Sequence, residues 1–461
     1  MNSDLKKFYE KIRNKRVTVL GIGVSNRPLI QMLVKHGARV TACDKSDAEH
    51  LGSLYENLSD LGVEMCLGPN YLSAIDADII FKTPGMRIDL PELKEAADRG
   101  IEITSEMEVF FDLCPCKIVA VTGSDGKSTT TTLISEMLKA QGYTVHLGGN
   151  IGRPLLPIID EIMPDDFAVV ELSSFQLHTM KKSPDVAVVT NVTPNHLDMH
   201  KSMEEYISAK ENILKYQDGN GLLVVNYDND ITRGFGASGR GRVLYFSSRQ
   251  RVENGAFYEN GMLFISKNGK AEPVLNRVQI ALPGDHNVEN YMAAILAVLD
   301  FVKMDAVEKV AEGFKGIAHR LEFVRELEGV KYYNDSIASS PTRTIAGLHS
   351  FEQKLILIAG GYDKKIPFDI LGEEVNDHVK CLLLIGNTAE KIYTSVVKAQ
   401  NFKEGRLPII KCESLAAAVK IAKKNAHEGD IVVLSPACAS FDSFKNFEER
   451  GNAFKNAVNM L

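Results

Sequence analysis

No stretch of this 461-residue chain approaches the ~18 consecutive apolar residues of a membrane-spanning helix, so nothing in it reads as a span. The opening segment, MNSDLKKFYEKIRNKR, is charged and lacks the apolar centre of a signal peptide. A basic excess is missing as well. Lys and Arg number 53 against 60 Asp and Glu, a net charge of −7, which argues against a general nucleic-acid or membrane-surface binder. Cysteine is sparse: seven residues, at 43, 66, 114, 116, 381, 412 and 438, odd in number and without zinc-ligand spacing. That pattern excludes a disulfide framework and points to reduced thiols in a cytoplasmic protein, with Cys114-Pro-Cys116 read as a linker feature. What remains is an ordinary soluble composition, 44% apolar and 25% charged. Its length suits roughly two to four domains.

The most informative stretch is KIVAVTGSDGKSTTTT, Lys117 to Thr132. Ile118 to Val121 has the β-branched composition of a buried parallel strand. Gly123 and Gly126 bracket Ser124-Asp125, Lys127-Ser128 follows at once, and Thr129 to Gln141 has helical spacing. Strand, glycine loop, Lys-Ser and helix together make a phosphate cradle. Backbone N–H groups and a helix N-terminus face the anion, the lysine adds a point charge, and the hydroxyl can ligate Mg²⁺. One glycine of the usual P-loop is absent, since Val121 stands five positions before Gly126.

Upstream, Arg16 to Gly21 reads as a strand, Gly21-Ile22-Gly23 as a tight turn, Asn26 to Lys35 as a helix, and Ala38 to Cys43 as a second strand ending at Asp44. The third glycine of a dinucleotide fingerprint is absent, with Asn26 in its place. Three readings stay open: a nicotinamide or flavin site, another nucleotide site, or helix–sheet packing alone. Strands at Asp78 to Lys82 and Glu102 to Thr104 complete a small α/β domain, with Thr83-Pro84-Gly85 turning at its ligand-binding edge.

Downstream, Gly148-Gly149-Asn150 follows a strand, and Phe167 to Leu172 is an apolar strand delivering Glu171 to its C-terminal end, where a Mg²⁺ ligand is expected. Val186 to Val192 leads to His196, just past a parallel strand. Lys210 lies in a helix over Met203 to Tyr216 and, on composition alone, is a solvated surface charge. Gly221 to Asn226 and Val243 to Phe246 are strands, with a hairpin at Phe257 to Ser266. Asn287 and Asn290 share a helix face and suit either an adenine edge or capping. Gly316 to Glu322 reads as a hinge into a third, βαβ-periodic unit whose sheet should be parallel and doubly wound. Polar clusters at Asn334-Asp335-Ser336, Gly360 to Lys364 and Ser435 to Ser440 mark its strand ends, and a last helix should run from Asp442 to Leu461.

The order of TGSDGKST (122–129), GGNIG (148–152), ELSSFQL (171–177), NVTPNHLD (191–198), SAKENI (208–213), GDHNVEN (284–290), AHRLE (318–322), NDS (334–336) and LSPACASFDSFKNFEERG (434–451) resembles the Mur ligases. The C-terminal block is most similar to the members that add D-glutamate to UDP-N-acetylmuramoyl-L-alanine, and the DNPR sequence of the diamino-acid-adding members is absent. The resemblance implies an α/β protein of three domains. They are a Rossmann-like UDP-binding domain (1–104), a central P-loop ATPase-like domain with a mostly parallel sheet (105–316), and a doubly wound amino-acid domain (317–461).

Residue by residue, the resemblance implies that Gly23, Val24, Ser25, Asn26, Asp44, Lys45, Ser46, Thr83 and Gly85 hold the uridine diphosphate substrate, with Asn150 near its alanyl carboxylate. Gly123, Ser124, Asp125, Gly126, Lys127, Ser128, Thr129, Asn287, Asn290, Arg320 and Asp335 would contact ATP. Ser128 and Glu171 would hold one Mg²⁺, His196 and a carbamylated Lys210 a second. Lys127, His196 and Lys210 are thus the catalytic candidates, and Lys364, Ser440 and Phe447 those for D-glutamate. A cytoplasmic monomer is implied, with no nucleic-acid partner and no membrane insertion. Ile337-Ala338-Ser339 departs from the Lys-Ala-Thr that many members carry after NDS. The N-terminal G-x-G unit argues against a folylpolyglutamate-type synthetase.

Overall fold

A computed structural model describes residues 3–23, 25–73, 75–193, 201–282, 284, 286–363 and 367–461. They form two compact units, residues 1–313 and 314–461, and three sheets, two of them in the first unit.

The first sheet is parallel throughout, in the order Glu64–Leu67, Arg39–Asp44, Arg16–Leu20, Ile79–Lys82, Glu102–Thr104. Val17, Val19 and Leu20 are buried because helices cover both faces, which is why the strand reads as a nearly unbroken apolar run. Strand order reverses at Arg16–Leu20, so the turn that follows it opens at the sheet's switch point. The elements that escaped the sequence reading include an edge strand and the first helix. The edge strand Glu64–Leu67 carries little apolar signal, and the charged N-terminus folds as the helix Ser3–Ile12, burying only Leu5, Tyr9 and Ile12.

The central sheet has nine strands, running from one edge as Lys270–Asn276, Met262–Lys267, Gly255–Glu259, Arg242–Ser247, Leu222–Asn226, Val186–Val189, Lys117–Thr122, Phe167–Glu171 and Val145–Gly149. Seven are parallel. The expected hairpin at 257–266 is the first two strands of a three-stranded antiparallel meander at the edge. Lys117–Thr122 lies between Phe167–Glu171 and Val186–Val189, where the chain's course across the sheet reverses. The glycine loop therefore leaves the sheet at its second switch point.

Contacts inside the first unit tie its two sheets together. Tyr9 donates to Asp160 at 3.0 Å. The buried Glu106 carboxylate accepts the Leu155 and Leu156 N–H groups at 2.9 and 2.7 Å, and burial raises its pKa to about 7 against the pull of those two bonds. Beyond strand Ile79–Lys82, Arg87 bonds both Asp89 and Glu205. Glu205 sits in the first turn of helix Met203–Lys215, so this ion pair anchors the helix that carries Lys210.

The C-terminal sheet runs Glu322–Leu327, Val330–Asn334, Ile431–Leu434, Leu355–Gly360, Val379–Ile385, Ile409–Lys411. The expectation of a wholly parallel sheet is corrected here. Glu322–Leu327 pairs antiparallel with Val330–Asn334 across a two-residue turn, Glu328-Gly329, both at positive φ (52° and 74°), the backbone a tight hairpin needs. The last helix is likewise shorter than expected. It begins at Phe447, where the Asn446 side chain caps the Glu449 N–H, because Phe444 N is held in a turn by the Ser440 carbonyl.

Candidate active site

In the glycine loop the backbone is shaped by close approach. Gly123 has φ +150°, and a Cβ there would lie 1.9 Å from Thr190 Oγ1. Gly126 has φ +77°, and its Cβ would lie 2.3 Å from Asn290 Oδ1. Gly126 is also the N-cap of helix Lys127–Gln141 and offers no side chain to its first N–H groups, which suits an anion at that end. The strand next door supplies the cradle. Asn191 accepts the Ser124 and Asp125 N–H groups through its carbonyl and side-chain oxygens (both 2.9 Å), and Thr190 Oγ1 donates to the Asp125 carbonyl at 2.6 Å.

Of the expected loop residues, Ser124 points into the protein, where its hydroxyl meets Thr193 and Tyr206 at 3.0 Å. Asp125 is exposed, Ser128 is buried, and Thr129 is half-buried on the first helical turn. Lys127 Nζ donates to the Gly123 and Ser124 carbonyls at 3.0 and 2.8 Å, folded back along the loop.

Glu171 pairs with Val121 in register, two residues before Gly123. It is 1% exposed. Asn150 donates its side-chain amide to Oε1 at 2.7 Å and its N–H to the Glu171 carbonyl at 2.9 Å. Oε2 is buried and has no hydrogen-bond partner among the described residues. A buried, half-satisfied carboxylate beside a phosphate loop is a donor waiting for a cation, so the residues present fit a Mg²⁺ held with the Ser128 hydroxyl.

Lys210 corrects the surface-charge reading most sharply. It is 1% exposed, and Nζ donates to the Gly123 carbonyl at 2.7 Å, the same oxygen Lys127 uses. The Tyr206 ring lies 4.6 Å below the amine. Burial, and then the Lys127 charge, lower its pKa to about 7, against the pull of Asp125 and Glu171. An amine in that range is substantially neutral at physiological pH, hence nucleophilic.

Asn287 and Asn290 lie within helix His286–Val298 and are both buried. Asn290 donates to Asn287 Oδ1 at 2.9 Å and accepts from Thr130 Oγ1 at 3.2 Å. These bonds brace the glycine loop from behind.

At the first sheet's turn, Asp44 accepts the Ile22 N–H (2.7 Å) and the Ser46 N–H (2.9 Å). Burial raises this carboxyl, but the Ser46 and Ile22 bonds outweigh it and hold the pKa below the ordinary value. Asn26 is 3% exposed and donates to the Gly21 carbonyl at 2.8 Å, so it fixes the loop from beneath. Gly23 and Gly85 face open space, Ser25 and Lys45 are exposed, and Thr83 packs its Cβ where a Gly21 side chain would sit. Val24, His196 and Lys364 lie outside the described residues.

In the C-terminal unit, Asp335 is buried and accepts from Ser435 Oγ at 2.7 Å and Leu321 N at 3.3 Å. Burial raises its pKa to about 7, opposed by those bonds and by Arg320, which is exposed. Ser440 is buried and Phe447 half-buried, its ring edge-on to His319 at 5.9 Å. What binds that corner together was missed in the sequence. Arg450 is 1% exposed and donates to the Ser336 hydroxyl and carbonyl and to the Cys438 and Ala439 carbonyls, all at 2.8–3.0 Å. Burial lowers its pKa to about 10. The signal was available: Phe447, Arg450, Phe454 and Val458 keep the spacing of a buried helical stripe, and an arginine within one demands partners.

Comparison with known proteins gives three family matches in chain order: "Mur ligase MurD-like, N-terminal domain" over residues 15–105, "Mur ligase middle domain" over 121–298, and "Mur ligase, glutamate ligase domain" over 319–438. The UDP-N-acetylmuramoylalanine--D-glutamate ligase of Acetivibrio thermocellus is 57% identical over the whole of both chains. Its namesake from Ruminiclostridium cellulolyticum is 51% identical, again end to end. Among solved structures, the UDP-N-acetylmuramate-alanine ligase of Thermotoga maritima superposes with a TM-score of 0.57 at 20% identity, covering 97% of this chain and 99% of its own. The MurF ligase of the same organism, solved with ADP, gives 0.52 at 18% identity, covering 98% and 97%. These two show a shared fold.

Proposed function

The chain belongs to the Mur ligase family, and from that membership we propose that it joins D-glutamate to UDP-N-acetylmuramoyl-L-alanine at the expense of ATP, a cytoplasmic step of peptidoglycan precursor synthesis. The observation that carries the chemistry is the meeting of three groups at one sheet edge: the glycine loop, the Glu171 oxygen that no described residue bonds, and the buried, low-pKa Lys210 amine.

The L-alanyl carboxylate attacks the γ-phosphate of ATP, releasing ADP and leaving an acyl phosphate. The amine of D-glutamate then attacks the acyl carbon, and the tetrahedral intermediate expels phosphate. Gly123 to Thr129 wrap the phosphates, through those loop N–H groups that Asn191 does not hold, and Lys127 exchanges its loop carbonyls for phosphate oxygens. Neutral Lys210 can add CO₂, forming an N–C bond and releasing one proton, which turns a cationic side chain into a carboxylate. Ser128 and Glu171 would hold one Mg²⁺, and His196 with carbamylated Lys210 a second; such ions neutralise charge on the transferring phosphoryl group. Asn287 and Asn290 brace the loop, and Arg320 and Asp335 are assigned to ATP.

The first sheet's turn, with Gly23, Val24, Ser25, Asn26, Asp44, Lys45, Ser46, Thr83 and Gly85, takes the uridine diphosphate, and Asn150 reaches the alanyl carboxylate. Ser440, Phe447 and Lys364 take D-glutamate. Domains over 1–104, 105–316 and 317–461 divide these tasks, and the protein acts as a monomer. Among the described residues no helix is long and apolar enough to cross a membrane. Phosphate release from ATP tests the reading: it should require both acceptor and D-glutamate, and turnover indifferent to them refutes it.

A further inference from the structure

We infer that His349, Glu374 and His378 form a binding site for a zinc-type transition-metal dication on the C-terminal unit. Glu374 and His378 lie one turn apart on helix Asp369–His378, and His349 caps the C-terminal end of helix Pro341–Leu348. The three donors therefore come from two helical elements and converge. His349 Nε2 is 2.6 Å and His378 Nε2 3.6 Å from the same Glu374 oxygen, and all three donor atoms fall within 4.8 Å of one another. The imidazole rings stand 4.7 Å apart at 52°. One histidine would complete an ordinary ion pair. The second brings another nitrogen to the same point without any packing need, since all three side chains are about a third to a half exposed.

Donors on a tetrahedral dication with bonds of about 2.0–2.1 Å sit roughly 3.3 Å apart, within reach of small side-chain rotations here. Two imidazoles and a carboxylate suit Zn²⁺, Co²⁺ or Ni²⁺, and not Mg²⁺, which takes oxygen donors. This set therefore does not compete for the ion assigned to Glu171 and Ser128. Solvent exposure leaves the fourth position to water. Metal there would cross-link the end of helix Pro341–Leu348 to helix Asp369–His378. The first of these carries Thr344, which bonds Ser435 and the Ala437 N–H and so supports the turn leading to Ser440.

Titrating the full-length, nucleotide-free protein with Co²⁺ in excess Mg²⁺ tests this. The wild type should bind one Co²⁺ per chain with visible d–d absorption and no thiolate charge-transfer band, and Zn²⁺ should raise its unfolding temperature. His349→Ala and His378→Ala should each weaken Co²⁺ binding by about tenfold or more and abolish the Zn²⁺ shift. Both retain all seven cysteines, and unchanged phosphate release without added Zn²⁺ reports their folding. Absence of the Co²⁺ spectrum in the wild type, or wild-type Co²⁺ affinity in either variant, overturns the inference.

Discussion

Replacing Lys210 with Met removes the buried amine while keeping most of its hydrocarbon, and the structure predicts opposite effects on stability and activity. The folded-state pKa is about 7, against an unfolded value near 10.5. The unfolded chain therefore binds a proton that the folded chain sheds, and the sign follows: the burial penalty is full below pH 7, shrinks as pH rises, and is gone above about 10.5. At roughly 1.4 kcal/mol per unit, the penalty near pH 7 is on the order of 4 kcal/mol. The variant also loses the bond to the Gly123 carbonyl, about 1 kcal/mol net. In CO₂-depleted buffer at pH 7, urea unfolding should find Lys210→Met more stable than the wild type by roughly 3 kcal/mol, with the gap closing as pH rises. Bicarbonate should narrow the gap at pH 7, because carbamylation removes the strained cation. Phosphate release by the variant should fall by roughly 100-fold or more. A variant that is less stable than the wild type at pH 7 and still active would refute this, leaving Lys210 a structural lysine bonded to a loop carbonyl.

Three further outcomes follow from the same geometry. Glu171→Gln keeps an oxygen for Asn150 and should fold normally, yet lose roughly 100-fold in phosphate release and need more Mg²⁺ for what remains, as a Mg²⁺ titration of the rate would show. Gly126→Ala places a methyl against Asn290 at φ +77°, so thermal unfolding should report a loss of about 1–3 kcal/mol and KM for ATP should rise. Arg450→Met takes the donor from the buried Ser336 and Cys438 carbonyls, and one bond each from the Ala439 carbonyl and the Ser336 hydroxyl, which keep the Tyr362 N–H and the Phe447 carbonyl. Urea titration should show a loss of at least ~3 kcal/mol, and KM for D-glutamate should rise more than KM for ATP, because the freed segment leads into Ser440.

The parts legible in the sequence are those whose physics is local. Strand, glycine loop, Lys-Ser and helix follow one another without a break from Lys117 to Gln141, so periodicity and backbone demands suffice to place them. Glu171 announces itself as a charge at the end of an apolar strand. Lys210 does not, because a lysine on an amphipathic helix is a surface charge until its partner is known, and that partner, Gly123, is 87 residues away. Arg450 is hidden for the same reason: its acceptors lie in two loops that only tertiary folding brings to the last helix. The Glu322–Leu327 strand eluded a βαβ pattern because the tight Glu328-Gly329 turn follows no helix. Asn26 and Ser124 stood out as loop residues, but only the folded loop shows their side chains turned inward to hold it.

The central claim is that ATP turnover at the glycine loop forms one particular amide bond. The most direct measurement is mass analysis of the nucleotide-sugar product after incubation with UDP-N-acetylmuramoyl-L-alanine, ATP, Mg²⁺ and either D- or L-glutamate. A product heavier by one glutamyl residue, with one phosphate released per product and formed with the D isomer alone, is the predicted result. Equal product with both isomers, or phosphate released with no glutamyl product, would contradict it.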